Sequence, residues 1–202
     1  MESVDLSKWY RPSVDQEEFK KLCKKSDWPG FKHMIIFFGS LFFFGYLAFL
    51  TWGTWWSILF FLIYGNIYCT CDAIWHETGH KTAFKSKFWN EFFYLIASYM
   101  NNFEPVRWRW SHFKHHGHTA STKDPHDFEI VISKPTDVLY FFSFFIPLAN
   151  VFYLHKSLQF ETLQHSLGIT TNVLRECVPE REINKCRASA RIHVGIWIIS
   201  AG

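Results

Sequence analysis

Between Met34 and Cys71 the chain has no Asp, Glu, Lys, Arg or His. Such a run is about twice the ~20 residues that cross a ~30 Å hydrocarbon core once. That excludes an ordinary soluble helix and predicts two antiparallel spans, because lipid obliges the backbone to satisfy its own polar groups. Cysteine is sparse and unpatterned: Cys23, Cys69, Cys71, Cys177 and Cys186 are five in number and contain no CxxC. A disulfide framework is therefore not expected, and reduced thiols on the cytosolic side fit better. Cys69 and Cys71, two apart, read as small packing residues rather than metal ligands. No charge of one sign dominates, since the net charge is +3 and dispersed, which argues against a nucleic-acid partner. No apolar run precedes Met34, so no secretory leader is expected. Internal repeats and low-complexity tracts are absent too.

Aromatics, by contrast, are abundant, with 23 Phe and 10 Trp in 202 residues. The length suits one domain. A first span is expected over residues 34–51, a turn at Trp52-Gly53-Thr54, and a second span to about Ala73, with Trp28-Pro29-Gly30 marking a break before the first. Lys20, Lys21, Lys24 and Lys25 precede the hairpin, Lys81, Lys85 and Lys87 follow it, and its turn carries no basic residue. The positive-inside rule then puts both ends in the cytosol and the tip outside. Phe88 to Met100 is too short to span and reads as an interfacial helix, with Trp108 and Trp110 as anchors at headgroup level. Val138 to Leu154, interrupted by Pro147 and Asn150, reads as a re-entrant or interfacial helix, with a true span as the alternative. Phe160 to Ala190 reads as a polar, cytosolic helical region, and Ile192 begins another apolar run. The expected fold is all-α and multi-pass. One domain comprises a cytosolic segment (1–33), a transmembrane hairpin (34–75), a cytosolic or interfacial cap (76–187) and the start of a further span (188–202).

Histidine is concentrated in one stretch: of eleven, His76, His80, His112, His115, His116 and His118 lie within residues 76–118. On a helix, i and i+4 are about 40° apart, so His76 and His80 share a face, and His112, His115 and His116 fall within roughly a 100° arc. Imidazoles so grouped suit Zn, Cu, Fe or Ni and poorly suit Mg or Ca. Polar side chains near lipid are costly and tend to be functional. His76-Glu77-Thr78-Gly79-His80 also spells HExxH, the helix of zinc peptidases with Glu77 as general base. The extended form of that motif asks for Gly and His where Ala83 and Ser86 stand, and Glu91 or Glu104 would have to serve as third ligand. A membrane zinc peptidase and a non-catalytic metal-binding membrane protein are thus the readings of other classes, but the peptidase reading does not account for the second histidine group.

Trp75-His76-Glu77-Thr78-Gly79-His80 followed by His112-x-x-His115-His116 resembles the first two histidine boxes of the membrane fatty acid desaturase family, with Asp124-Pro125-His126 shortly after the second. The resemblance implies a di-iron centre held by imidazoles at the cytosolic mouth of a helical bundle, which with O2 as co-substrate desaturates a fatty acyl or related lipid chain. Hydroxylation or ketolation within the same superfamily is the close rival. By this resemblance His76, His80, His112, His115 and His116 match the ligands. Glu77 and Asp124 either orient ligand imidazoles through the other ring nitrogen or are plain capping charges, and His118 is a further ligand or a neighbour. The family's third box, another HxxHH, has no match, because His126, His155, His165 and His193 stand alone. The chain is therefore expected to be an N-terminal portion of a longer enzyme, inactive by itself. No haem-binding or iron–sulfur spacing is present either, which implies an external electron donor of the ferredoxin or cytochrome type. Lys81, Lys85, Lys87, Arg107, Arg109 and Lys114 would form its docking patch or contact anionic headgroups instead.

Overall fold

A computed structural model describes residues 13–119, 124 and 158–201. The run from Val138 to Leu154, together with His126 and His155, lies outside the described residues. Among those described, the secondary structure is helical with no strand. In chain order the helices are α1 (Gln16–Leu22), α2 (Trp28–Leu50), α3 (Trp55–Cys69), α4 (Cys71–Gly79), α5 (Lys87–Met100), α6 (Pro105–His118), α7 (Leu158–Ser166), α8 (Asn172–Cys177) and α9 (Glu180–Ala201). All five cysteines are free thiols.

The hairpin forms where the uncharged run demands it. Its first helix begins earlier than expected, at Trp28, because Pro29 sits in the first turn, where a missing N–H costs nothing and the fixed φ already suits a helix. At 23 residues it is about 35 Å long, enough to cross a bilayer. Gly53, at φ 83°, makes the turn. The second arm runs over Trp55–Gly79, 25 residues, interrupted at Thr70 between α3 and α4. Only 22% and 11% of the two apolar windows are buried inside the protein. Side chains such as Phe42, Phe49 and Phe61 are left bare, as a lipid-facing surface requires and a soluble core helix would not tolerate.

Below the hairpin, α4 packs against α5 and both meet α6 around Trp75, Tyr94 and Trp108. Here one expectation fails. Trp108, read as a headgroup anchor, is 5% exposed and stacks on Phe103 at 4.0 Å between ring centres. Burying a whole indole in the core gains more than leaving it amphipathic at an interface. Trp110 instead packs on the small cluster of Leu174, Val178 and Cys186. The apolar run from Ile192 is also not a separate element, since it continues α9 from Glu180 without a break.

Helices α7 and α9 brace the start of α6. Glu104 caps α6, accepting the N–H groups of Val106 and Arg107, and also accepts the Cys186 thiol of α9 at 3.1 Å. Arg107 pairs with Glu161 of α7 at 3.0 Å. Beside them His165 is buried, with Nε2 at 2.9 Å from the Thr171 hydroxyl. Burial, then the cations Arg107 and Arg187, hold its pKa down to about 4. The unfolded imidazole titrates at about 6.5 and takes up a proton that the folded one refuses. Neutral His165 therefore stabilises the fold fully above pH ~6.5, and that contribution is lost as pH falls toward 4. In acid melts, His165→Gln should lose the part of the pH dependence in this window, about 3 kcal/mol from its upper to its lower end. Identical acid profiles for both proteins would refute the assignment.

Candidate metal centre

The first histidine pair ends α4. His76 lies in its last turn and His80 is the cap residue, followed by Lys81 in the left-handed region at φ 60°. Thr78, fully buried, ties its hydroxyl to the Ile74 carbonyl at 2.6 Å, so the polar turn is satisfied internally. Trp75 fixes the register between the two boxes. Its ring lies 5.0 Å from His112, 6.1 Å from Tyr94 and 5.9 Å from Trp108. On α6, His112 and His116 are one turn apart and face α4.

Four of the five expected ligands converge. One donor atom from each of His76, His80, His112 and His116 lies within 4.8 Å of the others. The Nε2 atoms of His80, His112 and His116 form a triangle with all three sides 3.0 Å. A ring nitrogen carries either a proton or a lone pair. Among three, at least two must be alike, so the three contacts cannot all be hydrogen bonds. A cation drawing on three lone pairs removes that conflict. The spacing also bears on geometry: metal–nitrogen bonds of about 2.1 Å at right angles place neighbouring donors about 3.0 Å apart, whereas a tetrahedron needs about 3.4 Å. The triangle is thus small enough for one first-row ion to meet all three nitrogens. The residues present fit an imidazole-held metal.

The electrostatics favour the ligating form. Burial first, and then neighbouring His76 and His116, lower the His80 pKa, keeping the imidazole neutral as a ligand must be. A cavity of about 10 Å³, walled by Trp75, Tyr94, Arg109 and Phe113, adjoins His76, His80 and His112. It is large enough for one water-sized molecule.

The remaining candidates are placed differently. His115 turns to Asp124, with Nδ1 at 2.7 Å from a carboxylate that is itself buried. His118 Nδ1 rests on the carbonyl of Lys114 in its own helix at 3.0 Å, and neither donor joins the group of four. The Glu77 carboxylate accepts the Thr82 hydroxyl at 2.6 Å, which engages the group a peptidase would need as general base. The cationic patch contracts as well. Arg107 is buried on Glu161, Arg109 donates to both Glu91 oxygens at 3.0 Å, and Lys114 lies 3.8 Å from Glu176.

Sequence reading missed the shell that holds the rings. Tyr94 donates to the Pro105 carbonyl at 2.7 Å, and burial pushes its phenol up to about 12, so it stays a donor. Arg109 lies flat over the same ring at 4.1 Å. Trp75, next to His76, was the one signal in the sequence that could have revealed this shell. The family model described as fatty acid desaturase matches residues 50–201. Comparison with curated proteins and with solved structures returned no match.

Proposed function

The chain belongs to the fatty acid desaturase family, and from that membership we propose that it carries part of a di-iron centre for O2-dependent desaturation of a lipid acyl chain. Membership implies an oxidoreductase that uses iron and meets a lipid substrate at a membrane. The observation that carries the finer reading is the triangle of Nε2 atoms at 3.0 Å, with His76 beside it.

In this reading His76, His80, His112 and His116 hold one iron. His115, steadied through Nδ1 by Asp124, offers its other nitrogen to a second. Bound there, iron with O2 supplies the oxidising power to take hydrogen from an unactivated alkyl carbon. The protein's own residues position and shield. Trp75 and Tyr94 pack behind the rings and keep water from that side, and the Arg109–Glu91 pair closes the small cavity's polar edge. Hairpin helices α2 and α3 hold this pocket at the cytosolic face, where an external ferredoxin or cytochrome delivers electrons. Five imidazoles do not fill two iron coordination spheres, so this reading calls for further ligands besides these five.

Cobalt substitution tests the reading directly. Six-coordinate cobalt absorbs weakly and tetrahedral cobalt strongly, so the purified chain should give weak visible bands and retain iron on metal analysis. Intense tetrahedral bands with one tightly kept zinc would overturn it in favour of a peptidase-like site. In a form of the protein that includes an HxxHH segment, cellular acyl chains should become lighter by two hydrogens. A gain of one oxygen instead would make the enzyme a hydroxylase of the same superfamily.

A further inference from the structure

Helix α1 has an odd status in the fold. It is seven residues long, and none of them is buried. Its N-terminus is nonetheless fully built: the Asp15 side chain accepts the N–H groups of Glu17 and Glu18. Isolated helices shorter than ~12 residues are marginal in water even with a good cap. Among the described residues nothing covers it. Its uncovered apolar side chains are Phe19 and Leu22, one turn apart, at 50% and 81% exposure, while Lys21 and Lys24 border them.

A second cationic segment lies against this one. Lys25 donates its ammonium to the Lys81 carbonyl at 2.9 Å, and the Ser86 N–H donates to Asp27 at 2.8 Å. Gly30 presses so closely on Ala83 and Phe84 that no side chain fits between. These contacts join Lys21, Lys24 and Lys25 to Lys81, Lys85 and Lys87, all exposed, in one patch at the end of the apolar hairpin. Of the nearby carboxylates, Asp27 and Glu77 are taken up by the Ser86 N–H and the Thr82 hydroxyl, Asp15 caps α1, Glu17 faces Lys20 at 3.2 Å, and Glu18 is exposed on the same helix. Arg109 and Lys114 do not extend the patch, since they face Glu91 and Glu176.

We propose that α1 and this lysine patch form a docking surface for anionic lipid headgroups, with Phe19 and Leu22 dipping below them. The partner follows from chemistry and position. Lysines at the mouth of a membrane-spanning helix meet lipid phosphates, and an amphipathic helix there buries its apolar side at the headgroup boundary. An acidic protein would satisfy the lysines but leave Phe19, Leu22 and the bare Trp28 without a reason.

The test uses the whole chain and requires no metal, so it stands or falls apart from the desaturase reading. An environment-sensitive dye is placed on exposed Cys23 at the end of α1, with Cys69→Ser and Cys177→Ser. The protein is reconstituted in phosphatidylcholine vesicles with or without phosphatidylglycerol. Emission should shift to the blue when phosphatidylglycerol is present, and high salt should reverse the shift. Lys21→Gln/Lys24→Gln/Lys25→Gln should lower the docked-to-free ratio about a hundredfold, and Lys81→Gln/Lys85→Gln/Lys87→Gln should do the same from the other side. A dye indifferent to phosphatidylglycerol would overturn the proposal. So would unchanged docking in both triple variants, or a response only to an acidic soluble redox protein.

Discussion

His116→Ala should leave the metal-free chain as stable as before, within about 0.5 kcal/mol, while weakening its hold on cobalt by about a hundredfold or more. The two effects separate because of where the ring sits. His116 is exposed, so truncation opens no cavity. In the metal-free protein its Nε2 lies 3.0 Å from those of both His80 and His112, in a triangle whose three contacts cannot all be hydrogen bonds, and removal relieves that conflict. With metal bound the same nitrogen is one of three aimed at a single point, and losing a ligand costs at least as much as the tenfold to hundredfold loss typical of its supporting partners. Cobalt titration followed by visible absorbance, alongside a thermal melt, reads both quantities. His115→Ala is the contrast, expected to change cobalt affinity at the first site less than tenfold, since its ring turns to Asp124. Equal losses from both variants would show that the four-histidine grouping is not the binding unit.

The second large effect lies far in sequence from the four grouped histidines. Gly30→Ala should cost about 3 kcal/mol and lower Tm by roughly 5–10 °C. A methyl there would stand 2.5 Å from a Phe84 ring carbon and 2.7 Å from the Ala83 carbonyl oxygen. The first atom cannot swing away, because Phe84 is 1% exposed and stacked on Phe93 at 5.2 Å. The second is backbone. The strain would fall on the loop that leaves His80, so cobalt binding should weaken as well. Gly39→Ala in the same helix meets nothing within 4 Å and should be neutral or stabilising by up to about 1 kcal/mol, as an ordinary glycine in a helix interior would be. Detergent melts of the two variants, run side by side, distinguish a close-approach glycine from a permissive one. A Gly30→Ala protein that melts like the parent would refute the contact.

Some of this architecture is written in one dimension. The uncharged run between Met34 and Cys71 is about twice the length of one span, which is enough to read a pair of apolar helices joined by a turn. The spacing of His76 with His80 and of His112 with His116 places each pair on one helical face wherever the helices go. Those features depend on neighbours along the chain. Other features depend on partners far away in sequence. Arg107 looks like a surface cation until Glu161, more than fifty residues on, pairs with it. Trp108 looks like an interfacial anchor because headgroup belts and buried cores both favour aromatics, and only packing against Trp75 and Phe103 separates them. His115 falls in the same arc as its neighbours by helical geometry, yet the approach of Asp124 turns its Nδ1 away from the four-ring group. The sequence by itself determined that helices of this kind would carry imidazoles beside a membrane. Which rings face one another was decided only in three dimensions, because convergence depends on how α4 and α6 cross, and Trp75 sets that crossing from the core.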